Sequence, residues 1–190
     1  LKKAISLNPD YTEAHNNLGN ALKNAGQIYS SIECYEQAIQ INNEYAEAHN
    51  NLGLILMKLG KLDSSAVHFK IALKINPEYT YANNNFGLLL SQLGKFTESI
   101  KYYQIALSVD PNFFEAYSNL GNSFKYLKRH EESLASYEKS YEINPEAKYS
   151  LGSIIHSRLH LSKWNDLDRQ IMASKAIERT LLNFNNDRMC

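Results

Sequence analysis

The sequence predicts an all-α fold, a right-handed solenoid of antiparallel helix pairs. Three observations carry this prediction. Residues of the same type recur every 34 positions along most of the chain. Within each period, an apolar stripe at helical spacing runs for about 14 residues, meets a glycine and runs again. Each period then ends at Asn-Pro or Asp-Pro, a pair typical of the stop between two helices.

The period is visible in columns, which are sets of residues 34 positions apart. The columns are the prolines Pro9, Pro77, Pro111 and Pro145, with Asn43 in the missing place; the mid-helix glycines Gly19, Gly53, Gly87 and Gly121; the turn glycines Gly26, Gly60 and Gly94; the aromatics Tyr35, Phe69, Tyr103 and Tyr137; and the alanines Ala14, Ala48, Ala82 and Ala116.

Each column predicts a structural role. A turn glycine suits the left-handed residue that follows a helix, and Lys128 takes that place in the last period. A proline suits the start of the next unit, where a missing amide hydrogen costs nothing. A mid-helix glycine costs up to ~1 kcal/mol against alanine. We therefore expect close approach of the paired helices to compensate for it.

These columns resemble the tetratricopeptide repeat, whose pattern is W-x2-L-G-x2-Y, then A-x3-F, then proline, over 34 residues. The resemblance implies a partial repeat at 1–11, four repeats across 12–147 and a fifth, degenerate helix pair with a C-terminal junction or cap at 148–190. The four full units are 12–45, 46–79, 80–113 and 114–147. The tryptophan column departs from the pattern, with His15, His49, Asn83 and Tyr117.

Composition excludes several classes of protein. The 20 Lys and Arg balance the 20 Asp and Glu, so no basic surface for nucleic acid or anionic lipid is indicated. The 190 residues are enough for one domain with a sizeable apolar interior. No apolar run reaches the roughly 20 residues of a membrane span. Two distant cysteines, Cys34 and Cys190, favour a reducing, cytoplasmic location.

The first helix of each unit has one face that packs and one that is free. At 100° per residue, Leu18 and Gly19 turn toward the second helix, while Asn17 and Asn20 lie on the other side. First helices line the inner surface of stacked helical hairpins. We therefore predict a groove lined by two columns. They are Asn17, Asn51, Asn85 and Asn119, and Asn20, Leu54, Leu88 and Asn122.

The asparagine column suggests binding of an extended peptide. An asparagine amide carries both a donor and an acceptor, so it can bond the peptide backbone whatever the peptide sequence. The alternative is that the column only solvates the inner surface or bonds locally between helices. A clamp for a terminal carboxylate, as in some tetratricopeptide-repeat proteins, is disfavoured because Glu13, Glu47 and Glu115 place negative charge there.

No catalytic constellation, cofactor site or metal site is predicted. His156 and His160 lie four apart, but the glutamate of H-E-x-x-H and a third ligand are missing, so we read them as structural. His15 and His49 share a column and are expected to pack. Cys34 is expected to be a small core residue.

The segment after residue 147 resembles the junction in the O-linked N-acetylglucosamine transferase family, especially its bacterial relatives. There the repeats end in a Leu-Gly helix and a Trp-x-Asp-x-Asp-like turn, here Trp164, Asp166 and Asp168. The resemblance implies that a glycosyltransferase domain follows in the parent chain, with the catalytic residues beyond residue 190. The alternative is that Trp164 caps the last hydrophobic face.

Two function classes follow from the sequence. The first is a substrate-recruiting repeat region of a protein O-GlcNAc transferase-like enzyme. The second is a free-standing adaptor. Both bind a protein or an extended peptide segment. Leu1–Asn8 reads as the second half of a helix, and 183–190 lacks a capping pattern, so we expect a piece of a longer protein.

Overall fold

The predicted all-α fold of helix pairs is confirmed. The computed structural model describes residues 2–146, 150–161 and 175, and these contain helices and no strand. The helices are α1 (Lys2–Leu7), α2 (Thr12–Asn24), α3 (Ile28–Ile41), α4 (Ala46–Lys58), α5 (Leu62–Ile75), α6 (Thr80–Gln92), α7 (Phe96–Val109), α8 (Phe114–Tyr126), α9 (His130–Ile143) and α10 (Ser150–Leu161). None of the described helices has the length and apolar character that crossing a bilayer requires.

The turn inside each pair is left-handed where the sequence predicts it. Gly26, Gly60 and Gly94 have φ of 74–75°, and Lys128 has φ of 60°. The amide of Lys128 donates to the carbonyl of Lys125 at 3.0 Å, and the amide of Arg129 donates to that of Phe124 at 2.9 Å. These two bonds form a Schellman motif, which satisfies carbonyls that the end of α8 leaves open. The glycine turns repeat the same pair of bonds.

The connection from one pair to the next is an asparagine turn. The side-chain oxygen of Asn42 accepts a hydrogen bond from the amide of Glu44 at 2.9 Å, and Asn76 does the same for Glu78 at 3.1 Å. An asparagine that bonds the backbone two residues on mimics a backbone turn. Asn42 and Asn76 therefore each end one unit and start the next, and Asp110 stands at the same place in the next repeat.

The mid-helix glycines allow the predicted close approach. A Cβ atom built on Gly19 would lie 2.6 Å from Cε1 of Tyr35, and one on Gly87 would lie 2.7 Å from Cε1 of Tyr103. Tyr35 and Tyr103 are completely buried. The aromatic side chain of the second helix thus occupies the volume that a side chain on the first helix would need.

Packing contacts divide the chain into two compact units, residues 1–111 and 112–190, where length alone predicts one domain. In the first unit, α4 contacts α2, α3, α5 and α6. In the second unit, α9 contacts α8 and α10, and Arg158 on α10 pairs with Glu138 on α9 at 2.6 Å. A repeat protein has this property because each repeat contacts its neighbours and no single centre gathers the whole chain.

Candidate peptide-binding site

The asparagine column lies on the first helix of each pair. Asn17 on α2 is exposed, whereas Asn51 on α4 and Asn85 on α6 are half-buried. Since α4 contacts both α2 and α6, the first unit places these three asparagines on neighbouring helices. Asn119 lies on α8 of the second unit and is half-buried.

A ladder of side-chain hydrogen bonds connects α2, α4 and α6. Nδ2 of Asn51 donates to Oδ1 of Asn16 at 2.9 Å, and Nδ2 of Asn85 donates to Oδ1 of Asn50 at 2.9 Å. Asn16 and Asn50 are buried, with 4% and 3% exposed. The local bonding that the sequence left open as an alternative is therefore present, and it uses one amide hydrogen of each asparagine.

The acceptors of this ladder are not among the residues predicted from the sequence. Asn16, Asn50 and Asn84 recur every 34 residues directly before the asparagine column, so the signal was the doubled asparagine in three successive repeats. The helical wheel turns these residues away from the free face. Their polar side chains become useful only when the next first helix packs against them.

Each ladder asparagine keeps binding capacity. An asparagine side chain offers two amide hydrogens and one oxygen with two lone pairs. The ladder occupies one hydrogen of Asn51 and one of Asn85. One N–H and the oxygen of each remain for a ligand, and this is the donor and acceptor pair that the backbone of an extended peptide needs.

In two of the four full repeats, the second column supplies an acceptor for the aromatic residue behind it. The hydroxyl of Tyr35 donates to Oδ1 of Asn20 at 2.9 Å, and that of Tyr137 donates to Oδ1 of Asn122 at 2.8 Å. Burial, followed by Cys34, raises the pKa of Tyr35 to about 12. Asn20 and Asn122 therefore also serve as internal acceptors for buried hydroxyls.

Where the second column is leucine, the aromatic residue behind it either has no hydroxyl or bonds its hydroxyl to another side chain. Phe69 has no hydroxyl, and Leu54 packs against the core cluster that contains it. The hydroxyl of Tyr103 lies 3.2 Å from Oγ of Ser91, and its column partner is Leu88. Leu54 and Leu88 are half-buried, so each also presents apolar surface.

Charges flank the columns at both ends of the first helices. Glu47 lies in the first turn of α4, at the N-terminal end. Its charge adds to the burial that raises the pKa of Tyr79 to about 12. Lys23 and Lys58 lie in the last turns of α2 and α4, at the C-terminal ends. Burial lowers the pKa of Lys23, and the charge of Lys58 lowers it further. Nζ of Lys23 also donates to Oδ1 of Asn20 at 3.3 Å. The glutamates were considered as charges of the groove in the sequence, and Lys23 was not.

The tryptophan column has a hydrogen-bonding role. Nε2 of His15 lies 2.9 Å from the carbonyl of Pro9, and Nε2 of His49 lies 3.2 Å from that of Asn43. Nδ2 of Asn83 likewise donates to the carbonyl of Pro77 at 2.8 Å. Each of these three residues therefore ties a first helix to the turn before it by a hydrogen bond, a role beyond the packing expected of His15 and His49.

Cys34 differs from its expected place in the core. It is half-buried and lines an open pocket of about 310 Å³ together with Ile5, His15, Leu18, Glu33 and Gln37. Burial raises the pKa of its thiol, and Glu33 raises it further, so the reactive thiolate is disfavoured. In the third repeat the larger Phe86 and Tyr102 stand at the Leu18 and Cys34 columns and contact each other edge to face. The smaller pair in the first repeat leaves the pocket open.

Several predicted features fall at the edge of what the structure describes. Trp164, Asp166 and Asp168 lie outside the described residues, and so does the side chain of His160. Among residues 2–146, 150–161 and 175, no group of three metal-ligating side chains is present.

Comparison with known structures identifies the same architecture in other proteins. PilF of Pseudomonas aeruginosa has a TM-score of 0.81 at 18% identity, covering 95% of this chain and 80% of that one. MamA from Desulfovibrio magneticus RS-1 has a TM-score of 0.73 at 15% identity, covering 93% and 97%. YrrB, described as a TPR protein with an unusual peptide-binding site, has a TM-score of 0.69 at 20% identity, covering 93% and 90%.

Family models agree with the periodicity. Models of the tetratricopeptide repeat match residues 1–33, 46–79 and 114–147, and a further TPR repeat model matches 24–60 and 87–128. No curated protein matches the chain significantly. With these matches over most of its length and the observed helix pairs, the chain belongs to the tetratricopeptide-repeat family.

Proposed function

We propose that this chain is a protein–protein interaction module that binds extended peptide segments along the asparagine column. The observation that carries the proposal is the ladder, which holds the amides of Asn51 and Asn85 in one orientation on neighbouring helices. A side chain that is already ordered loses less entropy when a ligand binds. The ladder therefore makes these amides better peptide contacts than freely rotating ones.

The spacing suits an extended chain. Neighbouring helices pack ~8–10 Å apart, and an extended peptide advances ~3.3–3.6 Å per residue. One asparagine per repeat would then meet about every third peptide residue. Recognition of this kind reads the backbone, while the apolar surfaces of Leu54 and Leu88 would add side-chain preference.

Replacing both ladder donors tests the proposal. We expect Asn51→Ala with Asn85→Ala to weaken binding by roughly 2–6 kcal/mol, because each asparagine loses up to two peptide bonds worth about 0.5–1.5 kcal/mol apiece. The probe is a peptide selected on the unmodified chain from a displayed random library. Affinity is measured by calorimetry.

The matched control breaks the ladder by removing its acceptors. Asn16→Ala with Asn50→Ala removes the acceptors and leaves both column amides at the surface, so it should weaken binding far less. Circular dichroism and the free energy of unfolding are measured for both variants. Equal losses of affinity at equal stability would mean that the asparagines act through helix packing and do not contact the peptide.

We further propose that the chain recruits substrates for a protein O-GlcNAc transferase-like enzyme in a cytoplasmic compartment. Support comes from the resemblance of the repeats and of the segment with Trp164, Asp166 and Asp168 to that family. The parent would transfer N-acetylglucosamine from its uridine diphosphate donor to Ser or Thr hydroxyls, while this chain presents the acceptor protein. The alternative is an adaptor with no attached enzyme.

The two alternatives are separated by the residues that follow Cys190 in the gene. Expression of the longer product with the sugar nucleotide and acceptor peptides should give transfer, and the 190-residue chain alone should give none. An early stop codon after Cys190, or turnover by the isolated repeats, would contradict the transferase proposal. Neither result affects the peptide-binding measurement.

A further inference from the structure

Two histidines face each other between the helices of the second repeat. Nδ1 of His49 on α4 and Nδ1 of His68 on α5 are 3.0 Å apart, with the ring planes tilted by 32°. His49 is buried, and His68 is half-buried. Nε2 of His49 lies 3.2 Å from the carbonyl oxygen of Asn43.

This geometry determines how many protons the pair can hold. A carbonyl only accepts, so Nε2 of His49 carries a hydrogen, and its Nδ1 accepts from Nδ1–H of His68. A first added proton can enter at Nε2 of His68 and leave this bond intact. A second proton must enter at Nδ1 of His49. Two N–H groups then face each other at 3.0 Å, the bond is lost, and two cations are adjacent.

The surroundings do not stabilise the charged pair. Burial lowers the pKa of both rings; the charge of His49 lowers that of His68 further, and the bond to the Asn43 carbonyl opposes the shift of His49. None of the ion pairs among the described residues includes either ring. Charged groups on α4, α5 and the helices packed against them include Glu13, Glu33, Glu47, Asp63, Lys58 and Lys70, and none of these six is among the groups that shift either pKa.

The pair adjoins the ladder in the sequence. His49 is followed directly by Asn50 and Asn51, which are the acceptor for Asn85 and the donor to Asn16. A movement of this turn of α4 away from α5 would therefore shift both bonds of the ladder at once.

We propose that His49 and His68 form a pH-sensitive latch that holds α4 against α5, and that acidification opens the latch and weakens peptide binding at Asn51 and Asn85. The binding part rests on the proposed function. The sign follows from linkage: the unfolded chain takes up protons near pH ~6.5, the ordinary histidine value, before the folded pair does. The latch is fully stabilising above that pH, and its contribution is lost as the pH falls below it.

The third repeat supplies a variant that cannot titrate. Asn83 and Tyr102 stand at the columns of His49 and His68, and Asn83 keeps the bond to the preceding turn. We therefore expect His49→Asn with His68→Tyr to fold. The matched control is His15→Asn, which removes a histidine of the same column that also bonds a carbonyl but has Cys34 at the facing column.

The equilibrium constant for unfolding in denaturant is measured between pH 7.5 and pH 5 for all three chains. In the unmodified chain and in His15→Asn it should rise with acidity, by at most about tenfold per pH unit for each ring that takes up a proton on unfolding. In the double variant this part of the rise should disappear. An equal rise in all three chains would overturn the latch.

Peptide affinity measured over the same range tests the second half. Affinity of the unmodified chain should fall on acidification, and that of the double variant should stay closer to its neutral value. If no peptide binds at neutral pH, the proposed function fails while the unfolding data still decide the latch. If binding is equally sensitive to pH in both chains, the latch does not regulate the site.

Discussion

At the scale of single residues, a buried hydroxyl needs a partner, and the second column supplies one in two repeats. Tyr35 and Tyr137 bond asparagines of this column, and Tyr103 lies against Ser91. Phe69 has no hydroxyl and belongs to the cluster against which Leu54 packs. A buried hydroxyl without a partner costs about 1–3 kcal/mol, and an apolar ring beside a leucine carries no such cost. At Phe69 a leucine in this column therefore leaves no hydroxyl without a partner, and at Tyr103 the hydroxyl of Ser91 takes the place of the asparagine.

Transplanting the polar pair tests this rule. Phe69→Tyr alone should lower the free energy of unfolding by about 1–3 kcal/mol, because Leu54 stands at the position where Asn20 accepts the bond from Tyr35. Adding Leu54→Asn should recover most of that loss by providing the acceptor that Asn20 provides for Tyr35. Urea denaturation of the two single variants and the double variant gives the coupling. Additive effects would show that the pair does not interact.

The residue scale is also where sequence reasoning ended. The period identifies which asparagines share a helix face, and the structure puts Asn17, Asn51 and Asn85 on neighbouring helices. The period does not reveal that Asn51 bonds Asn16 in the preceding repeat, because a helical wheel treats each helix alone. The same limit hid the contact between His49 and His68, two residues in different columns.

At the scale of the element, the backbone of the turns could be predicted almost completely. A glycine after the first helix indicates a left-handed residue, and the absence of glycine at Lys128 does not change the turn. The motif is held by two backbone bonds, to which the side chain contributes nothing. Lys128 therefore adopts a conformation that costs an L-residue roughly 1–2 kcal/mol.

One substitution in each of two turns measures that strain. Lys128→Gly should raise the free energy of unfolding by about 0.5–1 kcal/mol, since the relief of strain exceeds the extra entropy of glycine in the unfolded chain. Gly94→Ala should lower it by about 1 kcal/mol. A Cβ at Gly94 meets no atom within 4 Å, so the effect comes from the backbone alone. Thermal unfolding of both variants checks the pair, and two neutral results would refute the strained turn.

At the scale of the whole molecule, the repeat is the unit of stability. Consecutive helix pairs within the first unit pack against each other, and the bonds of the ladder run between residues 35 positions apart. Fold class was predictable because one 34-residue pattern occurs four times. The division at residue 111 was not, since every repeat carries the same pattern and none marks a boundary between units.

Removing one full period should leave a folded protein. Deletion of residues 46–79 joins α3 to α6 and brings Asn85 to the place where Asn51 bonds Asn16. We expect the same helicity per residue by circular dichroism and a lower free energy of unfolding, because one repeat and one interface are lost. The control deletes 46–70, which breaks the period and leaves residues 71–79 without their partner helix, so the helicity per residue should fall. Similar spectra for both deletions would contradict stacking by interchangeable repeats.

Leu54 and Leu88, half-buried between asparagines, have a thermodynamic consequence for any ligand that covers them. Hydration of an apolar side chain carries a large heat capacity, so covering that surface gives association a negative heat-capacity change. The polar column alone would give a small change of either sign. The temperature dependence of the binding enthalpy therefore reports whether the leucines are covered, and Leu54→Asn with Leu88→Asn should make that slope shallower.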